Sequence, residues 1–369
     1  FVSAETRIKT VEYNFGGRYG ADVNSGTQFN FPTRTVKLPE NGKTIKSAWL
    51  EFEGLTAGAD TNPIRLYFDA GATASTMRLQ SAQYTDSTAE SIRLFARADV
   101  TAVVQAELAQ LAAGRQFTAG VTITGPASNS HSMKLYVTYE YDDQSPTQVK
   151  TVRFPLYSDY AAGIAAFTGQ QAAGTALMQY KAEIADSGVS IQQQWFELRG
   201  YHQNGTNDGT LACQIGSSTA EPSMNLDDGL GDSYSFLYLS SSDQPAGFLA
   251  NTLQTLNVPI GVAPVNLLSG EIVLTYEFSR DSDSKTQTAR YFLGQGTLAN
   301  STTNFAIPLY LREEGITLRR VYARVAGSYD SATGDQLPVA SSIGGSDVPL
   351  RNYAIQTTAA QISGFQFFH

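Results

Sequence analysis

LYVTYEYDDQSPTQVKTVRF, at residues 135–154, has a near copy in IVLTYEFSRDSDSKTQTARYF, at residues 272–292. In each stretch apolar and polar residues alternate up to Thr-Tyr-Glu, an acidic Ser/Thr-rich segment follows, and a new segment begins that carries Arg and an aromatic residue. A period of two places one face of a β-strand on a core and the other face in water. Each stretch therefore predicts the last strand of one β unit, a hinge, and the first strand of the next unit.

Two further elements recur in the same order. The opening strand recurs as RIKTVEYNF (7–15), QVKTVRFPL (148–156) and QTARYFLGQ (287–295), and a central strand recurs as SAWLEFEG (47–54), QQWFELRG (193–200) and RVYARVAG (320–327). The copies lie roughly 125–145 residues apart, which is the size of one ordinary domain. We predict an all-β chain of tandem β-sandwiches, jelly-roll or Ig-like, that divides into units 1–142, 143–280 and 281–369, the last of them incomplete.

The first unit carries the clearest helix signal. In ADVTAVVQAELAQLAAG (98–114), Asp99 is placed to cap the first turn, apolar residues 103, 104, 108 and 111 form one stripe, and Gly114 follows. The sequence therefore predicts one short helix in an otherwise β unit. Trp49, Trp195 and Tyr322 occupy equivalent places in the central strands, where we expect core anchors, with an exposed sugar-stacking platform as the alternative.

These elements resemble a known family. IKSAWLEFEG (45–54) followed by RADVTAVVQAELAQLAAGRQFTAGVTITG (97–125) is similar to secreted β-sandwich modules of the DNRLRE type, over about residues 45–141. The helix part of this pattern is not reproduced in the second unit. The resemblance implies a β-sandwich in a cell-surface protein and an association with carbohydrate binding.

Composition narrows the function classes. Charged residues make up only 16% of the 369 residues, and the net charge is −9, which argues against nucleic acid because phosphate binding needs clustered Lys and Arg. No run of about 18 apolar residues is present, so we predict no membrane-spanning segment. Cys213 is the single cysteine, which excludes an intrachain disulfide. The polar surface, together with a first residue that is Phe1 rather than Met, predicts an exported protein at the cell surface or outside the cell.

Candidate sites of chemistry are few. The histidines His131, His202 and His369 lie far apart in the sequence, and no motif of a catalytic, phosphate-binding or dinucleotide-binding site occurs. We therefore predict that the chain is not an enzyme and holds no cofactor. Asp227, Asp228 and Asp232 lie in a Gly-containing loop whose oxygens are suitable for calcium, with a plain acidic turn as the alternative. Asn204 and Asn300 begin N-glycosylation sequons.

Three functions fit these observations. The first is an extracellular structural repeat protein, a subunit of a filament or a surface layer that associates with itself. The second is a carbohydrate-binding adhesin or module array whose aromatics, such as Tyr67, Tyr84 or Tyr201, stack on glycans. The third is a viral capsid or appendage protein, because jelly rolls also build shells.

The incomplete third unit leads to a hypothesis on assembly. An open sandwich exposes a strand edge and part of a core, and both favour pairing with another chain. Three outcomes are possible: the sequence belongs to a longer repeat protein, ISGFQFF (362–368) folds back to close the third unit, or a neighbouring subunit donates a strand. The segment FVSAETRIKTVEYNF has the form of a donated strand. We predict that residues 1–15 complete the third unit of the next copy, and the residues that carry this contact are Phe1, Val2, Val11, Tyr13 and Phe15.

Overall fold

A computed structural model of the chain describes most of residues 6–281 and short parts of the remainder. The described residues are 6–23, 29–57, 65–70, 73–78, 80–84, 91–110, 116–124, 128–161, 164–165, 169–171, 174–202, 210–221, 223–225, 234–240, 246–261, 265–281, 285–288, 317, 324–330, 342–343, 346–347 and 361–368.

The described residues form β-strands and one short α-helix, as the sequence predicts. The elements up to residue 142 are β1 (Thr6–Val23), β2 (Phe29–Asn30), β3 (Arg34–Lys37), β4 (Thr44–Ala57), β5 (Arg65–Ala70), β6 (Thr73–Arg78), β7 (Gln80–Tyr84), β8 (Ser91–Asp99), α1 (Thr101–Gln110), β9 (Gln116–Thr124) and β10 (Ser128–Asp142). Next come β11 (Thr147–Pro155), β12 (Tyr157–Asp159), β13 (Ile164–Ala165), β14 (Gly169–Gln171), β15 (Gly174–Tyr180), β16 (Ser190–His202), β17 (Thr210–Leu211), β18 (Gln214–Ile215), β19 (Met224–Asn225), β20 (Tyr234–Leu239), β21 (Gln254–Ile260) and β22 (Val265–Ser279). The last are β23 (Arg324–Asp330), β24 (Ser342–Ile343), β25 (Ser346–Asp347) and β26 (Gln361–Phe368).

The strands up to residue 279 form four sheets in which all neighbours are antiparallel. Sheet 1 has the order β1-β10-β4-β8-β7, and sheet 2 has the order β2-β9-β5-β6 with β3 also paired to β9. Sheet 3 has the order β11-β22-β16-β20 with β14 also paired to β22. Sheet 4 has the order β13-β12-β15-β21-β17-β19 with β18 also paired to β21. In sheets 1 and 3 the opening strand pairs with the closing strand, which pairs with the central strand, so the repeated sequence elements have the same neighbours.

Each pair of sheets encloses its own apolar core. Sheet 1 contributes Val11, Leu50 and Leu135 to a buried cluster that also contains Val36 of β3 in sheet 2. Sheet 3 contributes residues such as Phe196 to a second cluster, which contains residues of sheet 4 such as Tyr180. We call residues 6–142 repeat 1, residues 147–279 repeat 2 and residues from 285 onward repeat 3. The predicted domain limits remain a prediction, as does the incompleteness of the third unit.

The helix begins as the sequence indicates and is described from Thr101 to Gln110. The main-chain N–H of Thr101 donates to Oδ1 of Asp99 at 2.8 Å and caps the first turn. Hydrogen bonds from the side chain and then the main chain of Thr101 lower the pKa of Asp99. Val103 and Val104 are buried, and Leu108 packs against the same core. Residues 111–115, which include the predicted end of the helix, lie outside the described part of the chain.

Candidate functional site

The second faces of sheets 1 and 3, which point away from the two cores, pack against each other. In sheet 1 the residue Glu12 lies opposite Tyr136, which lies opposite Trp49, so that these three share a face. In sheet 3 the residues Arg153, Val273 and Trp195 form the corresponding row. Charged side chains lie in this contact layer, and it is the most unusual feature of the described chain because buried charges are costly unless they are paired.

Two ion pairs in this layer join residues at equivalent repeat positions. Glu12 and Arg153 occupy the same place in RIKTVEYNF and QVKTVRFPL, and Nε of Arg153 donates to Oε1 of Glu12 at 3.3 Å while Nη2 donates to Oε2. Glu53 and Arg199 occupy the same place in WLEFEG and WFELRG, and the two guanidinium Nη atoms of Arg199 donate to Glu53 at 3.1 and 2.9 Å. Bidentate ion pairs of this kind fix the orientation of the guanidinium and the carboxylate as well as their distance.

A third equivalent position also carries opposite charges. Lys134 corresponds to Glu271, and both belong to one connected network. Nη1 of Arg153 donates to Glu271 at 2.7 Å and to Glu197 at 3.2 Å, and Nζ of Lys134 donates to the same oxygen of Glu197 at 3.2 Å. The side chains of this network are at most 10% exposed.

The charges of the network persist in the folded chain. Burial lowers the pKa of Lys134, but Glu197, Tyr136 and Glu51 together outweigh burial, so that the pKa lies above its ordinary value. Burial also lowers the pKa of Arg153 and Arg199, but the surrounding carboxylates together outweigh it and raise the pKa of each guanidinium. The strongest of these carboxylates is Glu12 for Arg153 and Glu53 for Arg199. The network therefore consists of ion pairs, and removing one partner leaves an uncompensated buried charge.

The main chain of β1 also bonds to repeat 2. The N–H of Glu12 donates to Oγ1 of Thr151 at 2.9 Å, and the N–H of Asn14 donates to Oε1 of Gln193 at 2.9 Å. Oγ1 of Thr275 donates to the carbonyl oxygen of Glu12 at 2.7 Å. The outer edge of β1 is thus bonded to repeat 2 over its middle part.

This arrangement conflicts with the predicted donation of an N-terminal strand. Val11, Tyr13 and Phe15 are fully buried in the core of repeat 1, and β1 pairs with β10 of the same chain from Thr6 to beyond Phe15. Alternation of apolar residues marks a strand with one buried face, and the core of its own repeat already buries that face. Phe1 and Val2 lie outside the described residues.

A second kind of contact joins the start of repeat 2 to repeat 1. Nζ of Lys9 bonds to Oε1 of Glu40, whose other oxygen accepts the hydroxyl of Tyr139 at 2.9 Å. Oε1 of Glu40 also accepts the main-chain N–H of Val149 at 2.7 Å, and Val149 is the third residue of β11. The ammonium of Lys9 lies 4.0 Å from the ring centre of Tyr141, a cation–π distance.

The same contact recurs at the start of repeat 3. Nζ of Lys150 bonds to Oδ1 of Asp186 at 2.7 Å, and Oδ2 accepts the hydroxyl of Tyr276 at 2.8 Å. Oδ2 also accepts the main-chain N–H of Thr286 at 3.2 Å. Lys150 lies 4.1 Å from the ring centre of Phe278. We call these two arrangements joint 1 (Lys9, Glu40, Tyr139, Val149) and joint 2 (Lys150, Asp186, Tyr276, Thr286).

Both joints run in one direction along the chain. In each, a carboxylate of the earlier repeat accepts an N–H from the opening segment of the later repeat. A second hydrogen bond is also repeated, with its donor in the earlier repeat and its acceptor in the later one. The N–H of Glu12 donates to Oγ1 of Thr151, and the N–H of the equivalent Arg153 donates to Oγ1 of Thr288 at 3.2 Å. Repeats 2 and 3 are therefore joined by hydrogen bonds equivalent to those that join repeats 1 and 2.

Sequence reasoning missed the acids of the joints, although a signal exists. Glu40 and Asp186 each begin an acid-x-Gly triplet that lies nine residues before the Trp of the central strand. The glycines are Gly42, with φ of 59°, and Gly188, with φ of 63°, a conformation that strongly favours glycine. The triplet Glu-Glu-Gly at 313–315 has the same spacing to Tyr322 but lies outside the described residues.

The predicted tryptophan anchors are placed differently than expected. Trp195 is fully buried, but it packs with Leu237, Leu239 and Val273 on the face of sheet 3 that points away from the sandwich core. Trp49 stacks on Tyr136, with ring centres 5.0 Å apart, on the corresponding face of sheet 1. The reason is the period of two: Leu50 and Phe196 fill the cores, so their neighbours point outward.

The other predicted sites are not decided by the structure. Asp227, Asp228, Asp232, Asn204, Asn300 and Tyr322 lie outside the described residues. Tyr67, Tyr84 and Tyr201 lie on β5, β7 and β16. Within the described ranges, no group of three or more His, Cys, Asp and Glu residues is arranged to hold a metal ion. In the same part of the chain, no helix has both the length and the apolar character that crossing a membrane requires.

Comparisons with known proteins give only distant similarities. No family model matches the chain, and no sequence of a curated protein matches it. Among solved structures it is similar to PNGF-II, with a TM-score of 0.21 and 11% identity over 73% of this chain and 65% of that chain, which is just under two thirds of its length. It is also similar to PNGase F, a glycosylasparaginase from Flavobacterium meningosepticum, with a TM-score of 0.23 and 9% identity over 74% of this chain and 96% of that chain.

The prediction that the chain is not an enzyme is contradicted by this comparison, because PNGase F is a glycosylasparaginase. At TM-scores of 0.21 and 0.23 the similarities assign no reaction, substrate or residue role to this chain.

Proposed function

We propose that this chain is an extracellular structural protein, a subunit of a filament or a surface layer that associates with copies of itself. The observation that carries the proposal is the repetition of joint 1 by joint 2 in the same direction. A head-to-tail contact between two different surfaces, when each subunit repeats it, generates rings or open filaments rather than closed pairs.

The layer between sheets 1 and 3 supports this proposal. In a structural subunit each repeat must have a fixed orientation relative to the next. Bidentate ion pairs such as Glu12 with Arg153 fix both the distance and the angle between two sheets. The apolar cluster around Trp195 adds close packing on the same face. Together these contacts make repeats 1 and 2 a stiff unit rather than two domains on a flexible linker.

Composition supports the same proposal. Only 16% of the residues are charged. A low share of charged residues is typical of protein surfaces that pack against one another.

Sedimentation velocity over a wide concentration range, combined with negative-stain electron microscopy of the same samples, tests this function. We expect species larger than the 39.8 kDa monomer that grow in share with concentration, and filaments or sheets on the grid. Monomers at every concentration, together with single particles on the grid, contradict the proposal. Closed shells support a capsid protein instead, and monomers that bind to a glycan array support the carbohydrate-binding alternative.

A further inference from the structure

The N-terminal part of β1 is an opening segment whose outer edge, at residues 7–10, accepts no contact of the kind that repeat 1 makes with β11, as far as the described residues go. The sequences RIKT (7–10) and QVKT (148–151) are equivalent, so Ile8 corresponds to Val149 and Thr10 to Thr151. Val149 is 0% exposed because it packs against the core of repeat 1, whereas Ile8 is 62% exposed. A large apolar residue at an edge strand is thus buried in one repeat and faces water in the other.

The bonds of the two segments differ in the same way. In β11, the N–H of Val149 donates to Glu40 and Oγ1 of Thr151 accepts the N–H of Glu12. Thr286 and Thr288 at the start of repeat 3 make the same two bonds to repeat 2, with Asp186 and Arg153. Two of the three opening segments therefore dock on a preceding repeat.

The geometry points to a second copy of this chain as the occupant of the edge formed by residues 7–10 of β1. We propose that a second copy of this chain receives Ile8 and Thr10, as repeat 1 receives Val149 and Thr151. β1 is an edge strand of sheet 1, and edge strands that expose apolar residues favour pairing with another chain. This inference rests on the proposed function and names the surface and the partner through which the subunits associate.

The contact differs from the donation of a strand. β1 remains in its own sheet, paired with β10, and offers only its outer edge. The expected contacts are a carboxylate of the neighbouring copy that accepts a main-chain N–H near Ile8, and a main-chain N–H of that copy that donates to Oγ1 of Thr10. Ile8 is 62% exposed in the folded chain, so its side chain is accessible to a neighbouring copy.

The test compares Ile8→Asp with Leu177→Asp in the full chain. Leu177 is a matched control because it is 64% exposed and lies on β15 of repeat 2, away from the opening strand. A charge at a contact that buries an Ile side chain is expected to raise the concentration needed for half-maximal association by at least about tenfold. We expect this rise for Ile8→Asp, measured by sedimentation velocity, and an unchanged value for Leu177→Asp.

Further variants keep the result interpretable. Ile8→Val introduces the residue found at position 149 and is expected to associate as the wild type does. Thr10→Arg is a second disruptive variant, and its exposed position keeps the new side chain away from the core. Circular dichroism and thermal melting check that each variant is folded before its association is measured.

The outcomes separate this inference from the proposed function. If the wild type stays monomeric, both proposals fail. If the wild type associates and Ile8→Asp and Thr10→Arg associate equally well, only the docking edge is overturned. If Leu177→Asp weakens association as much as Ile8→Asp does, any added negative charge weakens association, and the docking edge is likewise overturned. A selective loss in Ile8→Asp and Thr10→Arg supports the contact.

Discussion

The ion pair between Glu53 and Arg199 allows the contact between repeats 1 and 2 to be tested energetically. The pair has two bonds, of 3.1 and 2.9 Å, and its side chains are only 9% and 6% exposed. Removing one partner of a buried pair costs about 3–5 kcal/mol, because the other charge remains in a poorly solvated place. We therefore expect Glu53→Leu and Arg199→Met each to lower the free energy of unfolding by about that amount.

The double variant distinguishes pairing from simple loss of packing. With both side chains replaced by apolar residues, no charge is left without compensation at this point, since Glu197 keeps its bonds to Arg153 and Lys134. We expect the double variant to be less destabilised than the sum of the single variants by about 3 kcal/mol. Nε of Arg199 also lies 3.5 Å from Glu197, so Glu53→Leu is expected at the lower end of the range.

The assay is urea denaturation followed by tryptophan fluorescence. The chain has two tryptophans, and both Trp49 and Trp195 lie on the faces of sheets 1 and 3 that pack together, so their emission reports on this layer. The control is the surface pair Lys46 with Glu140, at 2.8 Å but 44% and 30% exposed, for which the coupling is expected below about 1 kcal/mol. If the double variant loses as much free energy of unfolding as the two single variants, Glu53→Leu and Arg199→Met, do together, the reasoning is refuted.

Three further outcomes are expected from single residues. Gly188→Ala should cost about 1–3 kcal/mol, because φ is 63° and the new Cβ meets Cβ of Ser279 at 3.3 Å, whereas Gly216→Ala, with φ of 52° and an open surrounding, should cost less in the same urea titration. Burial, partly opposed by Asp186, lowers the pKa of Lys150 to about 8 from 10.5. Between these values the unfolded chain binds more protons than the folded chain, so this lysine makes the free energy of unfolding rise with pH, and Lys150→Met should reduce that rise in denaturation curves at about pH 7.5 and pH 9.5. Burial raises the pKa of the Cys213 thiol well above its usual value, so Ellman's reagent should modify it only on unfolding, and rapid reaction in native buffer contradicts this.

The fold was predictable from the sequence wherever alternation and repetition act together. Tyr13 and Leu50 lie in strands with a strict period of two, and both are buried as that period requires. The cap of α1 followed from Asp99, because a side-chain oxygen before an apolar helical stripe has a local partner in the main chain. Local signals of this kind depend on neighbours in sequence, which a sequence displays directly.

The layer between repeats was not predictable in the same way. Glu12 and Glu53 occupy the polar positions of alternating strands, and alternation alone assigns such positions to water. They are buried because another sheet covers them, and this covering depends on the relative placement of residues more than a hundred positions apart. The opposite charges at equivalent positions are visible in an alignment of the repeats, but they become informative only once the two faces are known to meet. The same is true of Trp195, whose burial was expected and whose side of the sheet was not.

The charged contact layer also has a consequence for synthesis of the chain. Domains fold largely in the order in which they leave the ribosome, so we expect repeat 1 to fold before the whole of repeat 2 has emerged. During that interval the face of sheet 1 that later contacts sheet 3 exposes Glu12, Glu53 and Lys134 to water, which solvates ionised groups well. An apolar face of the same size would attract other nascent chains. Charged groups that are solvated before the next repeat covers them, and paired afterwards, let a long protein be made one repeat at a time.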